Sequence, residues 1–114
     1  MENESHLYIV WTTDNPITAM NMVTTYGGNS MKNGWWDEVT IILWGASQQL
    51  VAANTTVSDR VRELMDMGVK FSACKRCADE LEVTQTLESM GVEVIYWGEP
   101  MTKLLKSGAK MLTI

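Results

Sequence analysis

Residues 38–44 read EVTIILW, and the fold turns on that run. After Glu38 it is nearly continuous in apolar and β-favouring side chains. A strand with one wet face would alternate, so an unbroken run fits a central strand of a parallel sheet, covered from both sides. Gly45 ends it.

Toward the amino end, LYIVW at 7–11 has the same character and runs into the turn TTDNP. Pro16 suits a first helical position, and Asp14 or Asn15 can cap the helix that follows. That helix is expected to turn Ile17, Met20 and Val23 or Thr24 inward. Gly27 and Gly28 either fray it, at about 1 kcal/mol per glycine, or lie in a helix that continues because another backbone packs close.

Toward the carboxyl end, Ala46 to Ala53 reads as a short helix, and Thr56 with Asp59 three residues later resembles a capping box. Val57, Val61, Leu64 and Met65 share one helical face, which Gly68 terminates. Val69 to Ala73 reads as a third strand. A helical stretch from Lys75 toward Met90 is expected to break near Glu82 and Val83 and restart at Thr84. Val92 to Trp97 is the fourth strand. Glu99 and Pro100 then open a helix with Met101, Leu104 and Leu105 inward, and KMLTI at 110–114 closes the chain as a fifth strand.

Strands alternating with helices predict an α/β fold, a flavodoxin-like three-layer sandwich of about five mostly parallel strands with helices on both faces. Residues 1–114 fit one domain. Hydrophobic residues make up 46% and charged residues 20% of the 114, ordinary globular usage. The net charge of −5 argues against nucleic acid, whose phosphates call for clustered Lys and Arg. No apolar run approaches the roughly 20 residues of a membrane span, and MENESHLYIVW lacks a cationic stretch before its apolar one. A cytoplasmic location without membrane contact is therefore expected.

Both cysteines of the chain lie in FSACKRC, residues 71–77. In a reducing compartment such a pair points to redox, sulfur or metal chemistry sooner than to a structural disulfide. Cys74 is expected at the carboxyl end of the third strand, where the working crevice of an open parallel sheet lies. The amides at the start of the next helix favour a thiolate, and Lys75 and Arg76 add positive charge. Cys77, one helical turn on, can approach the first sulfur.

Three chemistries fit. Sulfur carriage needs one exposed, activated cysteine, Cys74, with Cys77 as accessory; a dithiol/disulfide cycle uses both; a structural metal would need ligands from two subunits, since His6 is the single histidine. No metal and no organic cofactor is assigned. Asp14 and Asn15 occupy the first strand-to-helix loop on the same sheet edge, as caps and as candidate binding residues beside Lys75 and Arg76.

Across these segments the chain resembles the DsrE/DsrF-like family. The likeness is carried by LYIVWTTDNP, GGNSMKNGWWDEVTIILWG, GVKFSACKRCADELEV and GVEVIYWGEPMTKLLKSGAKMLTI, and covers nearly all of the sequence. The resemblance implies a flavodoxin-like subunit that forms homotrimers or hexamers. In characterised branches it also implies a cysteine that carries sulfur between proteins during sulfur oxidation or transfer-RNA thiolation. There the carrier follows a strand whose segment begins Gly-Val, and GVKFSAC puts Cys74 at that place; Cys77 departs from the carrier pattern. The expected function is a sulfur relay in which Cys74 accepts sulfane sulfur from a donor protein and passes it to an acceptor. The alternatives are a non-catalytic oligomeric module with structural or metal-sharing thiols, or a dithiol redox protein.

Five tryptophans and nine methionines are many for this length. Packing or interface roles are expected for them, with one or two of Trp11, Trp44 and Trp97 near the crevice mouth. His6 is expected to be a solvated residue before the first strand.

Overall fold

The computed structural model describes residues 5–114. Five strands, β1 (His6–Trp11), β2 (Glu38–Leu43), β3 (Lys70–Cys74), β4 (Glu93–Ile95) and β5 (Lys110–Thr113), form one sheet in the order β4-β3-β2-β1-β5. Every pairing is parallel. The helical segments are α1 (Pro16–Thr18), a π-helical turn (Ala19–Val23), α2 (Thr24–Lys32), α3 (Ala46–Ala53), α4 (Thr55–Asp66), α5 (Lys75–Glu80), α6 (Thr84–Ser89) and α7 (Gly98–Lys106). This is a flavodoxin-like α/β fold.

The strand order explains how the two faces are covered. From β1 to β4 the chain steps one way across the sheet, and right-handed crossovers then put their helices on one side. The return from β4 to β5 runs the other way, which sends α7 to the opposite side. Leu7, Ile9 and Trp11 of β1, Val39, Ile41 and Leu43 of β2, and Phe71 and Ala73 of β3 accordingly face a large core with Val23, Val51, Val61, Leu64 and Leu87. Their alternates Val10, Ile42 and Cys74 face a small second cluster with Trp97, against which Met101 and Leu104 of α7 pack. Helices lie on both faces, but unequally.

Several local expectations change. Ile17 is 72% exposed, whereas Val23 and Thr24 are buried. The π-turn adds a residue to one turn and shifts the inward face, so Ile17 and Val23 share no stripe. The helix runs on through Gly27 and Gly28, and what approaches them is side chain. A Cβ on Gly27 would stand 3.2 Å from Ile41 Cδ1, and one on Gly28 would stand 3.2 Å from an Arg60 guanidinium nitrogen. Helix α4 is capped by Asn54, whose Oδ1 accepts from Val57 N at 3.1 Å, in place of the Thr56 and Asp59 box. Glu82 adopts φ 57°, which separates α5 from α6 where a break was expected.

Glu99 lies inside the first turn of α7, and Trp97 holds the cap position. Leu105 is 61% exposed because α7 lies on its face with no flanking helix, so only a narrow stripe is covered. His6 begins β1. Its Nε2 is 2.8 Å from Thr40 Oγ1 and its ring stacks on Tyr8 at 4.0 Å, so it is packed and not solvated.

Candidate functional site

β3 ends at Cys74, whose backbone (φ −73°, ψ 116°) is still extended, and α5 starts at the next residue. Alternation along β3 fixes where the sulfur goes. Phe71 and Ala73 point into the main core, so Ser72 and Cys74 point to the opposite face. Cys74 is there packed with Val10, Ile42 and Trp97 and only 5% exposed. Its side chain makes no capping hydrogen bond to the amides of α5. The expectation of a water-reachable Cys74 is thus overturned by the pleat of β3, which buries this side chain in the cluster with Trp97.

Cys77, on the first turn of α5, is half-buried at the margin of the same cluster. Both thiols are free, and Cys74 and the Gly45 N–H lie near enough to the Cys77 sulfur to influence its titration. Burial is the main influence on Cys77 and pushes its thiol up from the ordinary value; the Gly45 N–H pulls the other way, and the neighbouring Cys74 adds to the rise. Near neutral pH Cys77 is therefore held chiefly as the thiol. Gly45 adopts φ 77° and ψ −132° at the entry to α3, a backbone that suits glycine and carries its N–H at the end of β2.

Behind the pair lies Gln48, fully buried on the first turn of α3. Its Nε2 donates to Leu43 O at 2.9 Å and to Cys74 O at 3.1 Å. One amide thus ties the ends of β2 and β3 and fixes the Cys74 backbone. Its Oε1 is buried without a hydrogen-bond partner. Sequence reading missed both Gly45 and Gln48. The available signals were a glycine directly after the central strand and a glutamine at an inward position of an otherwise small and apolar helix.

The two cations do not serve the sulfurs. Lys75 Nζ pairs with Asp79 Oδ2 at 3.0 Å and lies 5.9 Å from the centre of the Tyr96 ring; the hydrogen bond to Asp79 raises its pKa. Arg76 Nε pairs with Glu80 at 3.3 Å. Both form i,i+4 pairs along α5, the geometry a helix surface offers first. Asn15 is committed as the cap of α1, its Oδ1 accepting from Ile17 N at 2.9 Å and Thr18 N at 3.0 Å. Asp14 is exposed beside it. Both follow β1, which β2 separates from β3, about 10 Å by sheet spacing. The sheet edge is shared, but Asp14 and Asn15 are not brought to the thiols.

Of the tryptophans, Trp97 shares the buried cluster of Cys74 and Trp44 packs half-buried on it. Trp11 belongs to the main core. Among the described residues no three His, Cys, Asp or Glu side chains converge to hold a metal ion. Nor is any described helix long and apolar enough to cross a membrane.

The sequence profile of the DsrE/DsrF-like family matches residues 10–114. The chain belongs to the DsrE/DsrF-like family. Among solved structures it is similar to the conserved protein of unknown function BT1422 from Bacteroides thetaiotaomicron, at 41% identity and a TM-score of 0.97, covering 100% of this chain and 98% of that one. It is also similar in fold to the protein of unknown function MTH1491 from Methanobacterium thermoautotrophicum, at 15% identity and a TM-score of 0.74, covering 96% and 97%. No curated protein sequence matches the chain. In this family member a free thiol pair lies at the carboxyl edge of the sheet, Cys74 at the end of β3 and Cys77 on the first turn of α5.

Proposed function

We propose that this DsrE/DsrF-like protein is a cytoplasmic sulfur relay that carries sulfane sulfur on the Cys74 and Cys77 pair, with Cys77 as the sulfur through which transfer enters. The observation that carries this reading is the closeness of two free thiols at the carboxyl edge of a parallel sheet, one of them only half-buried. The Cys77 thiolate attacks the outer sulfur of a donor persulfide; the new bond forms from Cys77 Sγ to that sulfur, and the donor thiolate leaves and takes a proton. An acceptor thiolate then attacks the terminal sulfur and releases the Cys77 thiolate. No net oxidation occurs and no cofactor is required. The Gly45 N–H stabilises the anion at both stages, and Cys74 is the inner member of the pair.

Partners are donor and acceptor proteins, and the family resemblance supports a homotrimer or hexamer. Tyr96, 65% exposed beside Lys75, and Ile17, 72% exposed after β1, offer apolar surface at the thiol edge for such contacts. Incubation with a sulfane-sulfur donor followed by intact-mass analysis is expected to add one sulfur atom. The adduct should disappear in Cys77→Ser and persist, at reduced yield, in Cys74→Ser. No adduct on the wild-type chain would sink the proposal.

The closeness of the two free thiols also favours a second reading, a dithiol that closes to a disulfide. In that case the donor persulfide takes two electrons and two protons from the pair, leaves as a thiol and sulfide, and the chain loses two hydrogens in place of gaining a sulfur. The same measurement separates the two.

A further inference from the structure

Because α7 covers only part of its face of the sheet, the amino-terminal half of that face is left open, and there it forms a cavity of about 510 Å³. This lies within the roughly 300–1,000 Å³ of small-molecule sites, which are mainly apolar with a few placed polar groups. Met65, Val69 and Trp97 line it as apolar wall, and Tyr8, Ser72 and Glu93 as polar groups. It is separate from the thiol pair, which occupies the other end of β3, although Trp97 borders both.

The polar groups are ordered. Trp97 Nε1 donates to Ser72 Oγ at 2.7 Å, and Ser72 Oγ donates to Glu93 Oε1 at 2.9 Å. Trp97 and Ser72 are buried, so this chain of hydrogen bonds holds the Glu93 carboxylate at the mouth in a set orientation. The other charges nearby are spent on each other, Lys70 Nζ standing 3.2 Å from Glu38 Oε1. Burial lowers the pKa of His6, which adds no positive charge at neutral pH. Among the described residues no cation pairs with Glu93. The cavity therefore presents one carboxylate with no cation paired to it, linked through Ser72 to the N–H edge of an indole, with Met65 and Val69 as apolar wall. Lys70 and Glu93 in the lining, with Glu38 paired to Lys70 beside it, disfavour a second protein copy here, since charged residues are depleted where interfaces close.

We propose that this cavity is a binding site for a small primary amine with a compact apolar body, its ammonium on Glu93 and its body against Trp97, Met65 and Val69. Aromatic walls add attraction for a cation, and the fixed carboxylate supplies selection for charge. The proposal does not depend on the sulfur-relay reading.

The test is a titration of the full ¹⁵N-labelled chain with phenethylamine, followed by two-dimensional NMR, with phenylacetate as the control of opposite charge. Saturable shifts are expected at the Trp97 indole N–H and the Ser72 and Glu93 amides, with none from phenylacetate. Glu93→Gln, which keeps an acceptor for Ser72 and removes the charge, should weaken the amine about tenfold or more; dispersion of its spectrum verifies that it is folded. The proposal is overturned by absence of saturation to ~10 mM, by equal binding in Glu93→Gln, by equal binding of phenylacetate, or by shifts confined to other residues. It is equally overturned if these signals move on dilution while the amine leaves them unchanged, the behaviour of a face covered by a second copy.

Discussion

A thiol reacts through its anion and only where a reagent can reach it, and at this site Cys77 is the sulfur a reagent can reach while Cys74 is buried in the cluster with Trp97. Iodoacetamide on the native protein is expected to modify Cys77 and to spare Cys74 until denaturant is added, as read by peptide mass mapping. Burial raises the Cys77 pKa, so its labelling rate should keep climbing above pH 9. The folded chain holds that proton more tightly than the unfolded one. The associated stability is present below the unfolded thiol value of about 8.5 and is lost as pH rises through the folded value.

His6 behaves in the opposite sense. Its pKa is lowered, first by burial, against an upward pull from Glu38. Folding therefore disfavours its protonated form, so stability is full above about 6.5 and falls as pH drops through the folded value. The urea midpoint should decline as pH drops below about 6.5, and His6→Gln should flatten that part of the profile. Sequence alone placed His6 in solvent because its partners, Thr40 and Glu38, lie 34 and 32 residues away and reach it only through the β1 to β2 register.

At the scale of elements, caps and breaks follow local chemistry, and local chemistry allows more than one solution. Asn54 and Thr56 both offer a side-chain oxygen at the start of α4, and the chain uses Asn54. Asn54→Ala should cost about 1 kcal/mol in chemical denaturation, whereas exposed Thr56→Ala should change stability by less than about 0.5 kcal/mol. A result in the reverse order would mean that the capping box competes in solution. The strands, the α3 span and the break near Glu82 were legible because each rests on a run or punctuation within a few residues. The inward face of the first helix was not, because a π-turn is set by what packs around it and leaves no mark in apolar spacing. The glycines of α2 show the same limit. Their neighbours Ile41, Arg60 and Leu64 come from β2 and α4, so only the assembled layers show why a side chain is missing.

For the whole molecule, the strand order sets an uneven distribution of stability. The main core joins both central strands to most of the helices, while α7 and β5 contain no fully buried residue. Regions with few buried apolar contacts open first. Native-state hydrogen exchange should therefore show α7 and β5 opening at lower free energy than β1 to β3 and α4, and uniform protection across all of them would contradict this account. Such opening would uncover Cys74, which ties access to the inner thiol to the motion of one helix.

The amino-acid sequence by itself determined the α/β alternation, the parallel sheet, the family and the position of a thiol pair at a strand end, because each depends on periodicity, turn residues and spacing along the chain. Only the tertiary structure decided which sulfur faces water, where Lys75 and Arg76 direct their charge, and that one sheet face keeps an open cavity. Those outcomes depend on strand order and pleat, which bring together residues far apart in sequence and which no local pattern encodes.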